Sequence, residues 1–465
     1  MIDLSRFKGE RFGVFGLGRT GLAAVRALVA GGAHVVAWDD AEAGREAATE
    51  AGADVVDLAT RPLSDLRAIV WSPGAPFLAP TPLPAATAAR RQGAPLISDV
   101  QLLLDAVKDA RIVGVTGSNG KSTTTALLGH VLREAGVRVA VGGNLGPPTL
   151  GLEMLGAGGV YVLELSSYQL ELTPGPRFDP AILLNLEPDH LDRHGGLHAY
   201  AAQKRKIFAG PGAAVVGQDC AHGRWLSQRL TGRRLVPISA TSMTVGGAHA
   251  DETTLYDTFD GAPVPAFAFA DALALNGRHN RQNAAAAYAA ARLLDVKAEA
   301  VAAGFASFPG LPHRQELALT LGQVRYVNDS KATNAAAAAR ALASFERIHW
   351  IVGGVAKDGG LKGVEPWLDR VAAAYLIGEA ADGFDAQLAT MAPAVPRRRA
   401  GDLNAAVAMA HSAAQADREP AVVLLSPACA SFDQFSSYED RGDAFKRATA
   451  ALSPNVSSDT TGAAA

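Results

Sequence analysis

The sequence predicts an α/β protein of three domains: a Rossmann-like N-terminal domain, a central P-loop ATPase-type domain and a Rossmann-like C-terminal domain. Three observations point this way. Apolar, strand-like runs alternate with helical stretches along most of the chain, the pattern of parallel sheets covered by helices. Two glycine-rich turns, GLGRTG and GVTGSNGKST, each stand between such a run and a helix. The length of 465 residues suggests about three domains at roughly 150 residues each.

The first block opens with the strand RFGVF, the turn GLGRTG and the helical TGLAAVRALVAGG. HVVAWDD and AIVWSPG follow as strands, and PLISDVQLLLDAV closes the block. The second block starts at the strand RIVGVTG and the helix KSTTTALLGHVLREAG, with RVAVGGN, GVYVLELSS and AILLNL as further buried strands. Residues 217–270 are short apolar runs broken by Gly, Pro and polar residues, which predicts small β elements and loops. LNGRHNRQNAAAAYAAARLL is rich in alanine and reads as a helix. FPGLPHRQE, with Pro309 and Pro312, reads as a linker. Strands and helices then alternate again through VRYVNDS, NAAAAARALASF, IHWIVGG, AAYLIG and PAVVLLSPA. The expected divisions are 1–109, 110–308 and 309–453, with a disordered tail at 454–465.

Composition narrows the class. Hydrophobic residues make up 48% and charged residues 19%, ordinary for a soluble enzyme with several cores. A net charge of -3 offers no broad basic field, so neither nucleic acid nor a membrane surface is an expected partner. Cys220 and Cys429 are too few and too distant for a disulfide framework, which suits a reducing compartment. The opening MIDLSRFKGERFG is charged and lacks the apolar stretch of a secretory leader. No apolar run approaches the ~20 residues of a membrane span. A cytoplasmic location is expected.

The motifs carry the chemistry. In GLGRTG, residues Gly16, Gly18 and Gly21 form a G-x-G-x-x-G turn, and Asp39 and Asp40 end the next strand, where a ribose-binding acid would stand. A nicotinamide-dependent oxidoreductase is therefore a rival reading, but no dehydrogenase catalytic set accompanies the turn. The loop at residues 114–125 is more specific. Five residues separate Gly114 from Gly120, one more than the common phosphate-loop spacing. Backbone N–H groups of Ser118, Asn119, Gly120 and the helix start at Lys121, Ser122, Thr123 and Thr124 suit phosphate oxygens. Lys121 reaches the β/γ-phosphates and Ser122 suits Mg²⁺. Glu164, ending the strand in VYVLELSSYQL, is a second candidate for the metal or one half of a salt bridge. Asp189, His190, Asp192 and His194 crowd another strand end, with a spacing that matches no zinc site. In NDSKATN, Thr333 or Asn334 would cap a helix, but capping explains neither Asp329 nor Lys331. SPACASFDQF reads either as a site or as a loop packed by Phe432 and Phe435.

Taken in order, GVTGSNGKST, GGNLG, ELSSYQL, NLEPDHLDRHG, the segment from Tyr200 to Lys204, RHNRQN, LPHR, NDSKATN and SPACASFDQF resemble the Mur ligase family. The ordered set is very specific and spans nearly the whole chain. NDSKATN with SPACASFDQF points to the member that adds D-glutamate.

The resemblance implies an ATP-dependent ligase joining D-glutamate to UDP-N-acetylmuramoyl-L-alanine through an acyl phosphate, with ATP and Mg²⁺ as cofactors, acting as a monomer in peptidoglycan precursor synthesis. It assigns the first domain to the UDP substrate, near Leu17, Gly18, Arg19 and Thr20 with Ser72, Pro73 and Gly74. Asn144 and His190 would contact the same substrate. Asn280, Asn283, Arg314 and Asp329 would lie by the adenine and ribose. Lys331, Thr333, Lys357, Ser431, Phe432 and Tyr438 would surround D-glutamate. Ser122, Glu164, His190 and a carbamylated Lys204 would hold Mg²⁺, and Lys121, His190 and Lys204 would be catalytic. One departure stands out: the family's lysine loop reads Gly-Gly-x-x-Lys-Gly, and GGVAKDGG places Asp358 after Lys357. Folylpolyglutamate synthetase, which also joins glutamate through an acyl phosphate, is the runner-up in the family; a UDP-binding first domain argues against it. A bare regulatory ATPase is a third reading.

Overall fold

Short β-branched and aromatic runs form strands because their side chains pack on a pleated surface. In the computed structural model, residues 1–78, 81–275, 277–357 and 359–452 are described; the expectations for Asp358 and the tail at 454–465 fall outside them. Three sheets organise the described residues.

The first sheet contains β1 (Arg11–Phe15), β2 (His34–Trp38), β3 (Asp54–Val55), β4 (Ala68–Trp71) and β5 (Leu96–Ile97). Its order is β3-β2-β1-β4-β5 and every pairing is parallel. Strand order reverses between β1 and β4, so the loops after these two strands open side by side, where α/β sheets bind ligands.

The central sheet contains β6 (Arg111–Thr116), β7 (Val139–Gly143), β8 (Val160–Glu164), β9 (Ala181–Leu183), β10 (Ala214–Gly217), β11 (Leu235–Ser239), β12 (Ala248–Ala250), β13 (Thr254–Asp257) and β14 (Val264–Ala268). Its order is β14-β13-β12-β11-β10-β9-β6-β8-β7. β6 lies between β8 and β9, so its loop again faces a switch point. The small β elements expected at 217–270 extend this sheet as β11–β14, the last two pairings being antiparallel. The alanine-rich helix Arg278–Leu293 lies against β10–β13.

These two sheets share one core. Val14, Leu28 and Leu103 belong to the same buried cluster as Tyr161, Leu163, Phe178 and Leu183. The helices Arg19–Ala30 and Asp99–Ala106 pack on the turn Thr149–Gly151 of the central region. Ser98 Oγ and Thr173 Oγ1 meet at 2.7 Å. Accordingly, Met1–Phe308 forms one compact unit and Pro309–Ala465 a second.

The second unit holds β15 (Glu316–Leu321), β16 (Val324–Asn328), β17 (Ile348–Gly353), β18 (Val371–Ile377), β19 (Arg397–Gly401) and β20 (Ala421–Leu425), ordered β15-β16-β20-β17-β18-β19. β15 is an antiparallel edge strand. It follows directly on the segment read as a linker. β19, sequence RRRAG, is an edge strand whose arginines pair with Asp382 and Asp385, which hides it from a hydrophobic pattern. Trp350, Val352 and Leu424 fill one face and Tyr326, Ile351, Leu425 and Phe445 the other. Among the described residues, no helix is long and apolar enough to cross a membrane.

Candidate active site

The loop after β1 turns at Gly16, with φ +85°, into the helix Arg19–Ala30. A Cβ on Gly16 would stand 2.4 Å from Ser72 Cβ, so glycine lets the loops after β1 and β4 touch. Ser72-Pro73-Gly74 forms a turn closed by Ala75 N donating to Ser72 O, and Trp71 Nε1 donates to Ala75 O at 2.9 Å. Leu17, Gly18, Arg19 and Thr20 thus share one edge with Ser72, Pro73 and Gly74. Arg19 Nη2 reaches across to Gly146 O at 2.5 Å, touching the GGNLG loop of the central sheet. Asp39, the candidate ribose acid, turns its carboxylate onto its own chain: Leu17 N donates to one oxygen and Ala41 N to the other. That local use of both oxygens weakens the dehydrogenase reading.

The phosphate loop follows β6. Gly120 caps the helix Lys121–Glu134 at φ +83°, and a Cβ there would lie 2.1 Å from Asn283 Oδ1. Lys121 Nζ donates to the carbonyls of Gly117 and Ser118 at 3.0 and 2.9 Å. Lys204, from the helix Leu197–Arg205, is 1% exposed, and its Nζ donates to the same Gly117 O at 2.8 Å and to Thr116 Oγ1 at 3.3 Å. Burial first, and the neighbouring Lys121 charge second, bring the Lys204 amine down to about 7. Lys206, two positions on, is half-buried and donates to Glu171 O at 3.1 Å. Ser118 Oγ meets Tyr200 OH at 3.0 Å, which ties the loop to the helix carrying Lys204. Ser122 and Thr123 open the helix, and the buried Thr124 Oγ1 donates to Asn283 Oδ1 at 3.3 Å.

Glu164 ends β8, beside the loop, and is buried. Its Oε1 accepts from Asn144 Nδ2 at 2.6 Å, whereas Oε2 has no hydrogen-bond partner among the described residues. A buried carboxylate oxygen without a donor suits a hard cation. His190 is half-exposed at φ +51°, with Nε2 3.4 Å from Asp189 Oδ2 and its ring 5.1 Å from Tyr168. Among the described residues, no group of three or more His, Cys, Asp or Glu is placed to hold a metal. Asn283, 2% exposed, packs under the loop, and its Nδ2 donates to Asn280 Oδ1 at 3.2 Å.

In the second unit, Asp329 follows β16. Ser426 Oγ donates to its Oδ2 at 2.8 Å and Gln315 N to its Oδ1 at 3.2 Å. Burial pushes Asp329 up to about 7, against the opposing hydrogen bonds from Ser426 and Gln315 and, last, the charge of Arg314. Asn334 caps the helix Ala335–Leu342, accepting from Ala337 N at 2.9 Å; Thr333 is not the cap. Lys331 Nζ stands 5.5 Å from the centre of the Tyr438 ring. Arg441, 1% exposed, clamps this region: Nε donates to Ser330 Oγ, and Nη2 to the carbonyls of Ser330 and Cys429. Ser431 is buried, whereas Phe432 is 74% exposed, so the expected packing by Phe432 does not occur; Phe435 alone joins the core. Lys357 lies on the surface after β17. Cys220 and Cys429 are both free.

Residues 115–291 match the Mur ligase middle domain. The chain is 47% identical over 464 residues to a UDP-N-acetylmuramoylalanine–D-glutamate ligase of Caulobacter sp. (strain K31), covering 97% of this chain and 98% of that protein. The chain belongs to the Mur ligase family. A protein of the same name from Rhodospirillum rubrum is also 47% identical, covering 97% of each chain. Among solved structures, a UDP-N-acetylmuramate–alanine ligase from Thermotoga maritima superposes with a TM-score of 0.56 at 16% identity, over 96% of this chain and 100% of that one. At that identity the likeness speaks for the fold alone.

In this Mur ligase, several residues of the phosphate-loop surroundings carry no role in the sequence reading. Asn185 Oδ1 accepts from Asn119 N at 2.8 Å, and Glu187 Oε2 accepts from Asn119 Nδ2 at 2.7 Å. Both lie in NLEPDHLDRHG, where the crowded charges at 189–194 drew attention away from them. Asp219 and Gln282 join the same network. Gln282 lies within RHNRQN, whereas Asp219 lies in no motif, and only the fold brings the two together.

Proposed function

We infer that the chain is an ATP-dependent ligase that adds D-glutamate to UDP-N-acetylmuramoyl-L-alanine, releasing ADP and phosphate. The single observation that carries this is near-full-length likeness to the D-glutamate ligases, in a chain whose phosphate loop is flanked by Lys121, buried Lys204 and Glu164. A carboxylate resists attack by an amine because oxide is a poor leaving group. Its oxygen attacks the γ-phosphorus of ATP, ADP departs, and an acyl phosphate results. The amine of D-glutamate adds to the acyl carbon, phosphate leaves with the C–O bonding pair, and an amide remains.

The chain's own contribution is positioning and charge. Ser118, Asn119, Gly120, Lys121, Ser122, Thr123 and Thr124 hold the phosphates, with Asn280, Asn283, Arg314 and Asp329 assigned to the nucleoside. The loops at 17–20 and 72–74, with Asn144 and His190, are assigned to the UDP substrate. Lys331, Thr333, Lys357, Ser431, Phe432 and Tyr438 are assigned to D-glutamate. Asn144, bonded to Glu164, would also orient that carboxylate. Ser122, Glu164, His190 and Lys204 would hold Mg²⁺, which when bound neutralises charge on phosphate oxygens.

Lys204 enters that set as a carbamate. Its nitrogen adds to CO₂, one N–H proton passes to water, and an anionic oxygen donor results. This needs the neutral amine, and burial supplies it at neutral pH. Removing CO₂ should lower activity and bicarbonate should restore it; activity indifferent to both would exclude the carbamate. The chain is read as a monomer; light scattering at a dimer's mass would reject that.

The decisive experiment is ADP release with UDP-N-acetylmuramoyl-L-alanine and each amino acid in turn. Release should need both acceptor and D-glutamate. Equal release with neither present would mean a bare ATPase.

A further inference from the structure

A chain of hydrogen bonds runs sideways across the C-terminal ends of four neighbouring strands of the central sheet, β11, β10, β9 and β6. It begins at Asp219, just after β10. Asp219 Oδ1 accepts from Ser239 Oγ at the end of β11, at 2.5 Å, and from Thr241 Oγ1 at 2.8 Å; Ala240 N donates to the same carboxylate. Gln282 Nε2, from the helix Arg278–Leu293, donates to Asp219 Oδ2 at 2.6 Å. Asn185 Nδ2, after β9, donates to Gln282 Oε1 at 2.8 Å. Asn185 then grips the backbone of Asn119 in the phosphate loop twice: Oδ1 accepts from Asn119 N at 2.8 Å, and Nδ2 donates to Asn119 O at 3.2 Å.

The direction of this chain is set at its far end. A carboxylate can only accept. Gln282 must therefore turn its NH₂ toward Asp219 and its oxygen toward Asn185. Asn185 must answer with NH₂, which leaves its oxygen facing Asn119 N–H. Were Gln282 reversed, its NH₂ would face that of Asn185, or Asn185 would turn its own NH₂ toward Asn119 N–H; either way two donors meet and the line to the loop is broken. Gln282 is buried, so water does not readily substitute for a broken link.

We propose that Asp219 is a positioning residue for ATP, which fixes the phosphate loop at Asn119 by dictating the orientation of the Gln282 and Asn185 amides. The proposal rests on the reading of that loop as the ATP site. Asp219 bonds Ser239, Ala240, Thr241 and Gln282, and reaches the loop through two side chains.

The test measures ADP affinity of the full-length chain by titration calorimetry. Asp219→Ala should weaken ADP binding about tenfold or more, while binding of UDP-N-acetylmuramoyl-L-alanine changes less than about threefold. Asn185→Ala should weaken ADP binding likewise. The double variant should be no worse than Asn185→Ala alone, because both changes cut one chain. Should Asp219→Ala not fold, Gln282→Leu interrupts the same chain midway and carries the same expectation. Unchanged ADP affinity in these variants, or losses that multiply in the double variant, would overturn the proposal while leaving the ATP site standing. A wild-type chain that binds no ADP would overturn the loop reading itself.

Discussion

Lys121 and Lys204 bring two amino groups to one carbonyl oxygen, that of Gly117. Like charges this close are tolerable because burial lowers the Lys204 amine to about 7. Lys121→Ala should cut kcat by about 10²–10³-fold with folding intact, since it removes charge from the transferring phosphoryl group; a near-normal steady-state rate would discard the loop assignment. Lys204→Ala should cripple catalysis, whereas Lys206→Ala, whose amine bonds Glu171 O, should keep most of the activity. The sequence shows three adjacent basic residues, and local composition cannot separate them. Burial does so, and burial is a tertiary property. Asp329 supports a further prediction. Its folded pKa is raised to about 7 by burial, so the folded chain favours the protonated acid. That stability is fully present below the ordinary carboxylate range and is lost as pH rises through 7. Asp329→Asn should remove about 2–3 kcal/mol of the stability lost between pH 5 and 8; an unchanged slope would refute it.

At the scale of elements, the turns were the most legible features. Gly16 and Gly120 stand at positive φ, and each lacks a Cβ where another side chain arrives, Ser72 in one case and Asn283 in the other. Gly120→Ala should therefore displace the loop, and the expected loss in kcat/KM for ATP is about 10²-fold; wild-type kinetics would show that the loop yields freely. Asn334 caps its helix with Oδ1 on Ala337 N, and Asn334→Ala should cost about 1 kcal/mol in chemical denaturation. Buried parallel strands were legible as unbroken apolar runs. The edge strands β15 and β19 were not, because an edge needs only one apolar face and β19 spends its arginines on Asp382 and Asp385. The small strands at 217–270 were visible as β elements, but their enrolment in the central sheet was not, since pairing partners lie outside any local window.

For the whole molecule, the described residues before Pro309 carry buried clusters of their own. Residues 1–308 expressed alone should fold cooperatively and bind ADP; a fragment without a thermal transition would contradict this. By itself the sequence determined the alternation of strands and helices, the glycine-rich loop after β6, the two glycine turns and the family, because these depend on residue type at fixed spacing along the chain. Tertiary structure decided the rest. It merged the first two sheets around one core, buried Lys204, set Asn144 against Glu164, and drew Asp219, Gln282 and Asn185 into line behind Asn119. The physical reason is that a spacing rule records neighbours in sequence. Burial and hydrogen-bond direction depend on neighbours in space, which elements far apart in the chain supply only once the sheets have formed.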